Sequence, residues 1–150
     1  MSVDAAARRA ARLGAVQALY QMEISGASTA EVLADFAAGK LPRETEATYT
    51  DSEGDLDLFK VLVEKAVDRQ ATLDRAIARH LSKGWRLERI DAVARAILRA
   101  GAAELEQRHD IPVAVVIDEY VEIAKSFFDG PEPGFVNATL DACAKDLRGG

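Results

Sequence analysis

Apolar residues recur along this chain at spacings of three and four, and almost nowhere at a spacing of two. Val113, Ile117, Tyr120, Ala124 and Phe127 step by four, three, four and three. That places all five on one stripe of an α-helix and would scatter them over both faces of a strand. The same period relates Leu13, Val16, Tyr20 and Ile24 in an Ala-rich stretch from about residue 4 to residue 24. It returns in Phe59, Leu62, Val63, Ala66, Leu73, Ile77 and Leu81, in Ile90, Val93, Ile97, Gly101 and Leu105, and in Val136, Leu140, Cys143 and Leu147. A chain patterned this way has only helices to pack on one another, so the expected class is all-α, with roughly six or seven helices.

Punctuation residues set the boundaries. Ser25-Gly26 ends the first helix, and Ser28 with Glu31 three residues on forms a capping box for a short helix through Phe36. Asp55 is placed to cap a long helix, with a break near Gln70, that Ser82-Lys83-Gly84 closes; Trp85 to Glu88 makes a short connection. The next helix runs from about Ile90 to Arg108, with Arg95 and Arg99 on the side away from its apolar stripe. Asp110 and Pro112 start another, Pro being tolerated in a first turn, and it ends at Asp129-Gly130-Pro131; the last begins after Pro133-Gly134. Gly39 to Gly54 contains Pro42 and no apolar period, and reads as an exposed loop. No repeat or linker divides the 150 residues, which predicts a single domain over 1–150 with an acidic loop at about 39–55. Runs such as Val113 to Ile117 fall far short of the ~20 apolar residues that cross a bilayer. The Ala- and Arg-rich beginning faintly resembles a transit peptide. Its amphipathic pattern, however, continues unbroken into core-type residues, so it is assigned to the first helix.

Motifs for catalysis are missing: no G-x-S-x-G, no phosphate-cradling glycine loop, no H-E-x-x-H and no C-x-x-C. One Cys excludes an internal disulfide, and Cys143 sits on an apolar stripe, where a thiol behaves as a small hydrophobe. The two His, His80 and His109, lie near helix ends and read as surface or capping residues. The expectation is a cytoplasmic protein that is not an enzyme and takes no cofactor or metal.

The net charge of −6, from 19 bases and 25 acids, would argue against a polyanion as partner. Its distribution says otherwise. Glu44 to Asp57 holds six acids and no base, so the rest of the chain balances at 19 against 19. Within that remainder, residues 1 to 12 carry +2, residues 75 to 99 carry +5 and residues 104 to 132 carry −6. Folding decides whether these segments merge into faces.

Two features point toward nucleic acid without settling it. Arg8 and Arg12 project together one turn apart, with Arg9 rotated by roughly 100°. Three guanidiniums in five residues repel one another, and either a phosphate backbone or a solubilising frayed turn accounts for them. Phe135 lies roughly 100° off the stripe of the last helix, either as a base-stacking aromatic or as an entry residue folded on a neighbouring helix. Asp118 and Glu122, one turn apart beside Lys125, form either a solvated face or a docking face for a basic protein.

Several segments together resemble the NusB family of bacterial transcription antitermination factors. Ala6-Ala7-Arg8-Arg9-Ala10-Ala11-Arg12 leading to Ala15-Val16-Gln17-Ala18-Leu19-Tyr20 is similar to its arginine-rich motif and first helix, and Ala96 to Leu105 to its central helix. Ile111-Pro112-Val113, Ile117-Asp118-Glu119 and Glu122 to Phe127 resemble its penultimate helix. Phe135-Val136-Asn137 with Leu140-Asp141 matches the opening of its last. The segments occur in family order and span nearly the whole chain.

The resemblance implies about seven helices in two small bundles and a non-enzymatic role. It implies binding of boxA single-stranded RNA together with NusE, a small-subunit ribosomal protein, in a transcription elongation complex with RNA polymerase, with no membrane involved. Carried over by position, Arg8, Arg9 and Arg12 are expected at RNA phosphates, Tyr20 on the RNA surface and Phe135 at a base. Asp118, Glu119 and Glu122 are candidates for docking the basic NusE, and Lys125 suits either partner. Three departures stand out: the acidic loop is unusually long and charged, Ala94 replaces an acid common in the family, and Phe128 to Gly134 is rich in Pro and Gly. Two other functions remain open. One is an accessory domain of an RNA cytosine methyltransferase, disfavoured by a chain running from Met1 to Gly150 without a methyltransferase region; the other is a helical scaffold that binds only protein.

Overall fold

The computed structural model describes residues 2–43, 54–81 and 86–148. Its helices are α1 (Ser2–Ser25), α2 (Thr29–Ala37), α3 (Leu56–Asp68), α4 (Gln70–Arg79), α5 (Ala92–Gln107), α6 (Val113–Phe127) and α7 (Glu132–Leu147), with a 3-10 turn at Leu87–Arg89. No strand occurs among the described residues. Residues 44–53 of the expected acidic loop, Ser82-Lys83-Gly84 and Trp85 lie outside them.

The caps expected at Ser28 and Asp55 both form, and Asp91 adds one that was not expected. Ser28 Oγ accepts from the Glu31 amide at 3.1 Å while the Ser28 amide donates back to the Glu31 carboxylate at 3.2 Å, the full reciprocal box. Asp55 accepts from the Leu58 amide, and Asp91 from those of Val93 and Ala94. The break expected near Gln70 falls at Arg69, so the long helix is two, α3 and α4. Two starts shift slightly. Pro112 is the residue before α6 rather than inside its first turn, and α7 opens at Glu132 with Pro133 in the first turn.

Two apolar clusters form two small bundles. Ala11, Ala15 and Ala18 of α1 close on Val32 and Phe36 of α2 and on Leu58, Phe59, Leu62 and Val63 of α3. Phe36 and Phe59 stack with centroids 4.0 Å apart, and Gly14 admits them against α1: a Cβ there would stand 3.0 Å from the Phe36 ring. Val16, on another side of α1, joins the second cluster, built mainly from α4 to α7.

At its centre runs α5, in contact with α1, α3, α4, α6 and α7. Ala94, Ala96, Ala100, Gly101, Ala102 and Ala103 are buried, and this run of small side chains lets the neighbours come close. A Cβ on Gly101 would stand 2.8 Å from Leu140 Cδ1. A helix surrounded in this way keeps little outer face, so Arg95 and Arg99, expected on the side away from its apolar stripe, are half-buried and paired rather than solvated. Arg95 holds Glu23 at 2.8 and 2.7 Å and the carbonyls of Leu87 and Ile90, and Arg99 holds Asp74 through two bonds of 2.9 Å. The basic segment 75 to 99 therefore spends two arginines tying α5 to α1 and α4.

Such ties set an acid limit. The bond from Arg95 lowers the pKa of Glu23, and that from Arg69 lowers Glu106, each against an ordinary value of 4.5. A carboxylate whose folded pKa is depressed contributes stability above the unfolded value and loses it as pH falls through the folded one. The melting temperature is expected to hold from pH 7 to about pH 5 and to fall steadily below about pH 4.5. A thermal scan flat down to pH 3 would contradict these ties.

Burial, with a smaller contribution from the Asp146 charge, pushes the Cys143 thiol up to about 11, and its Sγ faces the Ala76 carbonyl at 3.6 Å. It is a packed hydrophobe, not a nucleophile at neutral pH. His80 closes α4, its ring 2.6 Å from Asp146.

Candidate nucleic-acid interface

The three arginines of α1 do not share one environment. Arg9 is exposed, with 70% of its side chain open to solvent. Arg8 is half-buried near Asp110, whose carboxyl is held at about 2 chiefly by hydrogen bonds from Arg108, with the Arg8 charge a lesser cause. Arg12 is buried. Its Nε and Nη2 hold the fully buried Glu104 at 2.9 and 2.7 Å, and the Tyr120 hydroxyl donates to the same carboxylate at 2.8 Å. Burial alone lowers the pKa of Arg12, but the bond and charge of Glu104 outweigh it and the net shift is upward. Burial and the Glu104 charge raise Tyr120 well above its usual value. Arg12 is thus a permanent cation inside the protein. Of the three arginines expected at RNA phosphates, Arg12 is the one whose fork is filled by an internal carboxylate, and burial makes that carboxylate costly to abandon.

Glu119 is also placed differently from the expectation. Its side chain is 18% exposed, and Oε1 lies 3.2 Å from Arg9 Nε and 3.5 Å from Arg12 Nη1. Glu119 is thus paired with the arginines of α1, whereas the other two docking candidates are not. Asp118 and Glu122 point outward from α6, and Glu122 meets Lys125 at 3.6 Å, an exposed pair of little energetic weight.

Tyr20, 38% exposed, lines a groove of about 580 Å³ with Val16, Ile24, Val93 and Phe127. Ile24, read as part of the inward stripe, is 62% exposed at the end of α1, and Phe127 is half-buried as a groove wall. At the rim, Gln17 binds both backbone groups of Arg43, a contact between positions 26 residues apart that no local pattern signals. Arg9 meets Glu119 while Tyr20 and Phe127 share the groove, so α1 and α6 run side by side in the same direction. By helix rise the Arg8 and Tyr20 positions are about 18 Å apart.

Phe135 lies in the first turns of α7, directly after the 128–131 turn, and so at the end of α6 that Phe127 marks. It is half-buried and packs against the larger cluster. Along the α1–α6 pair, Arg9 lies at one end, and Tyr20 with Phe127 at the other. Phosphate binding needs the first and base stacking the second. No helix among the described residues is long and apolar enough to cross a membrane.

Comparison with known proteins identifies the family. The sequence model of the NusB family matches residues 9–145. The transcription antitermination protein NusB of Caulobacter vibrioides is 53% identical over 141 residues, covering 94% of each chain. That of Maricaulis maris is 50% identical over 147 residues, covering 94% of this chain and 88% of the relative. Among solved structures, T. maritima NusB superposes with a TM-score of 0.74 at 31% identity, over 93% of this chain and 91% of that one. A chain from the crystal structure of a plectonemic RNA supercoil superposes with a TM-score of 0.75 at 29% identity, over 92% and 94%. Two helical bundles hung on a central α5, an arginine-bearing first helix and relatives of half-identical sequence lead to one conclusion: this chain belongs to the NusB family of non-enzymatic transcription antitermination proteins.

Proposed function

We propose that this protein acts in the cytoplasm as a single-domain antitermination factor that binds boxA-type single-stranded RNA together with the ribosomal protein NusE. It would thereby promote read-through by RNA polymerase, notably in ribosomal RNA operons. The observation that carries the reading is the division of the arginine motif. Arg12 is spent inside the protein, whereas Arg9 leaves most of its side chain open to solvent on the helix that also carries Tyr20. Arg8 and Arg9 supply the phosphate contacts, and Tyr20 and Phe135 supply stacking surfaces for unpaired bases. The exposed carboxylates Asp118 and Glu122 supply the side that attracts a basic protein.

Arg8→Ala with Arg9→Ala is expected to weaken binding of a boxA-type RNA oligonucleotide and to flatten its salt dependence. The slope of log affinity against log salt should fall by about 0.7 per phosphate lost, about 1.4 for the pair. Phe135→Ala should weaken binding with the slope intact. Fluorescence anisotropy across a salt series, with and without NusE, reads both. An unchanged slope in the double variant would leave the arginines as solubilising residues and favour a scaffold that binds only protein.

A further inference from the structure

Arg9 is the most exposed of the three arginines, yet it is not loose. Glu119 Oε1 accepts its Nε–H at 3.2 Å. The same oxygen lies 3.5 Å from Arg12 Nη1, and Arg12 is fixed from below by Glu104, itself held by Tyr120. A continuous file of alternating groups therefore runs from the core to the surface: Tyr120 hydroxyl, Glu104 carboxylate, Arg12 guanidinium, Glu119 carboxylate, Arg9 guanidinium. The first three are buried, so they determine where Glu119 stands.

A guanidinium carries five N–H donors in a rigid fork, and a carboxylate at Nε occupies one. The four N–H groups of Nη1 and Nη2 remain, enough for bidentate contact with phosphate. Ordering a long side chain is part of the cost of binding, and a side chain ordered beforehand avoids it. Glu119 would repel a phosphate if it stood alone; with two guanidiniums against two carboxylates the file is neutral as a whole.

We propose that Glu119 is a positioning residue for RNA binding, holding Arg9 by Nε so that its remaining donors face the phosphate backbone. The proposal rests on the RNA-binding reading above and goes beyond it by giving an acidic residue a favourable part in binding a polyanion.

The test is a double-variant cycle read by anisotropy with a boxA-type RNA oligonucleotide, with and without NusE. Glu119→Ala is expected to weaken binding by about two- to tenfold, the range that corresponds to ordering one long side chain. Its salt slope should match the parent, because no phosphate contact is removed. Glu119→Gln retains an acceptor for Nε–H and should recover most of the loss. In an Arg9→Ala background Glu119→Ala should have no further effect.

Tighter binding by Glu119→Ala would make Glu119 a competitor of phosphate and overturn the proposal. An equal loss in the Arg9→Ala background would overturn it too, leaving a purely structural residue, and the melting temperature of each variant identifies that case. Failure of the underlying reading looks different: neither the parent chain nor its complex with NusE would bind the RNA, or Arg9→Ala would bind as the parent does.

Discussion

Glu104→Leu is expected to lower folding stability by about 3–5 kcal/mol, the usual cost of leaving one member of a buried ion pair without its partner. Glu104 is fully buried and accepts from Arg12 and Tyr120, so its loss leaves a guanidinium and a phenol in a space with no water to solvate them. The guanidinium cannot escape by losing its proton. The opposite deletion, Arg12→Met, should cost a comparable amount by stranding the carboxylate. Replacing all three groups by apolar ones, in Arg12→Met with Glu104→Leu and Tyr120→Phe, should recover most of the loss, since a buried polar group is expensive chiefly when it is orphaned. Urea unfolding measures the series. A Glu104→Leu protein as stable as the parent would mean that water reaches Arg12 and that the site is not closed.

The second large effect is expected in the smaller bundle. Phe59→Ala should destabilise by about 3–5 kcal/mol, from lost transfer energy and the cavity left behind. Phe59 is fully buried between α1 and α3 and stacks on Phe36, with ring planes 8° apart. Gly14 offers no side chain to fill the gap. Phe59→Leu keeps most of the apolar contact and should lose clearly less. The urea midpoint decides it, and a change below about 1 kcal/mol for Phe59→Ala would show that the helices collapse onto the space.

Local signals carried far in this chain. The apolar period located the long helices, the capping box the short one, and the Ser28–Glu31 box and Asp55 act as the caps their positions suggest. Contacts distant in sequence left no such trace. Arg12 and Glu104 are 92 positions apart, Arg9 and Glu119 110 positions apart, and no helical wheel relates them. A signal was nonetheless present in α5. Ala96 to Leu105 reads as apolar on every side except at Arg99 and Glu104, and a helix apolar all round is a buried one. An acid within such a helix requires a buried donor, and the adjacent arginine-rich helix is the natural place to look. Arg95 and Arg99 escaped for the same reason: taking α5 as amphipathic assigned it a wet side, whereas five helices surround it.

The slenderness of α5 has a consequence for how the surface tolerates change. Five helices take their spacing from a single axle on which alanines and Gly101 alternate with a few large side chains such as Ile97, Leu98 and Leu105. Enlarging a side chain there would not dent the protein locally; it would push whole helices outward together, including α1 with its guanidiniums and α6 beside it. The lateral spacing of α1 and α6, and with it the reach from Arg9 to Glu119, is therefore set from inside, by residues of the central helix.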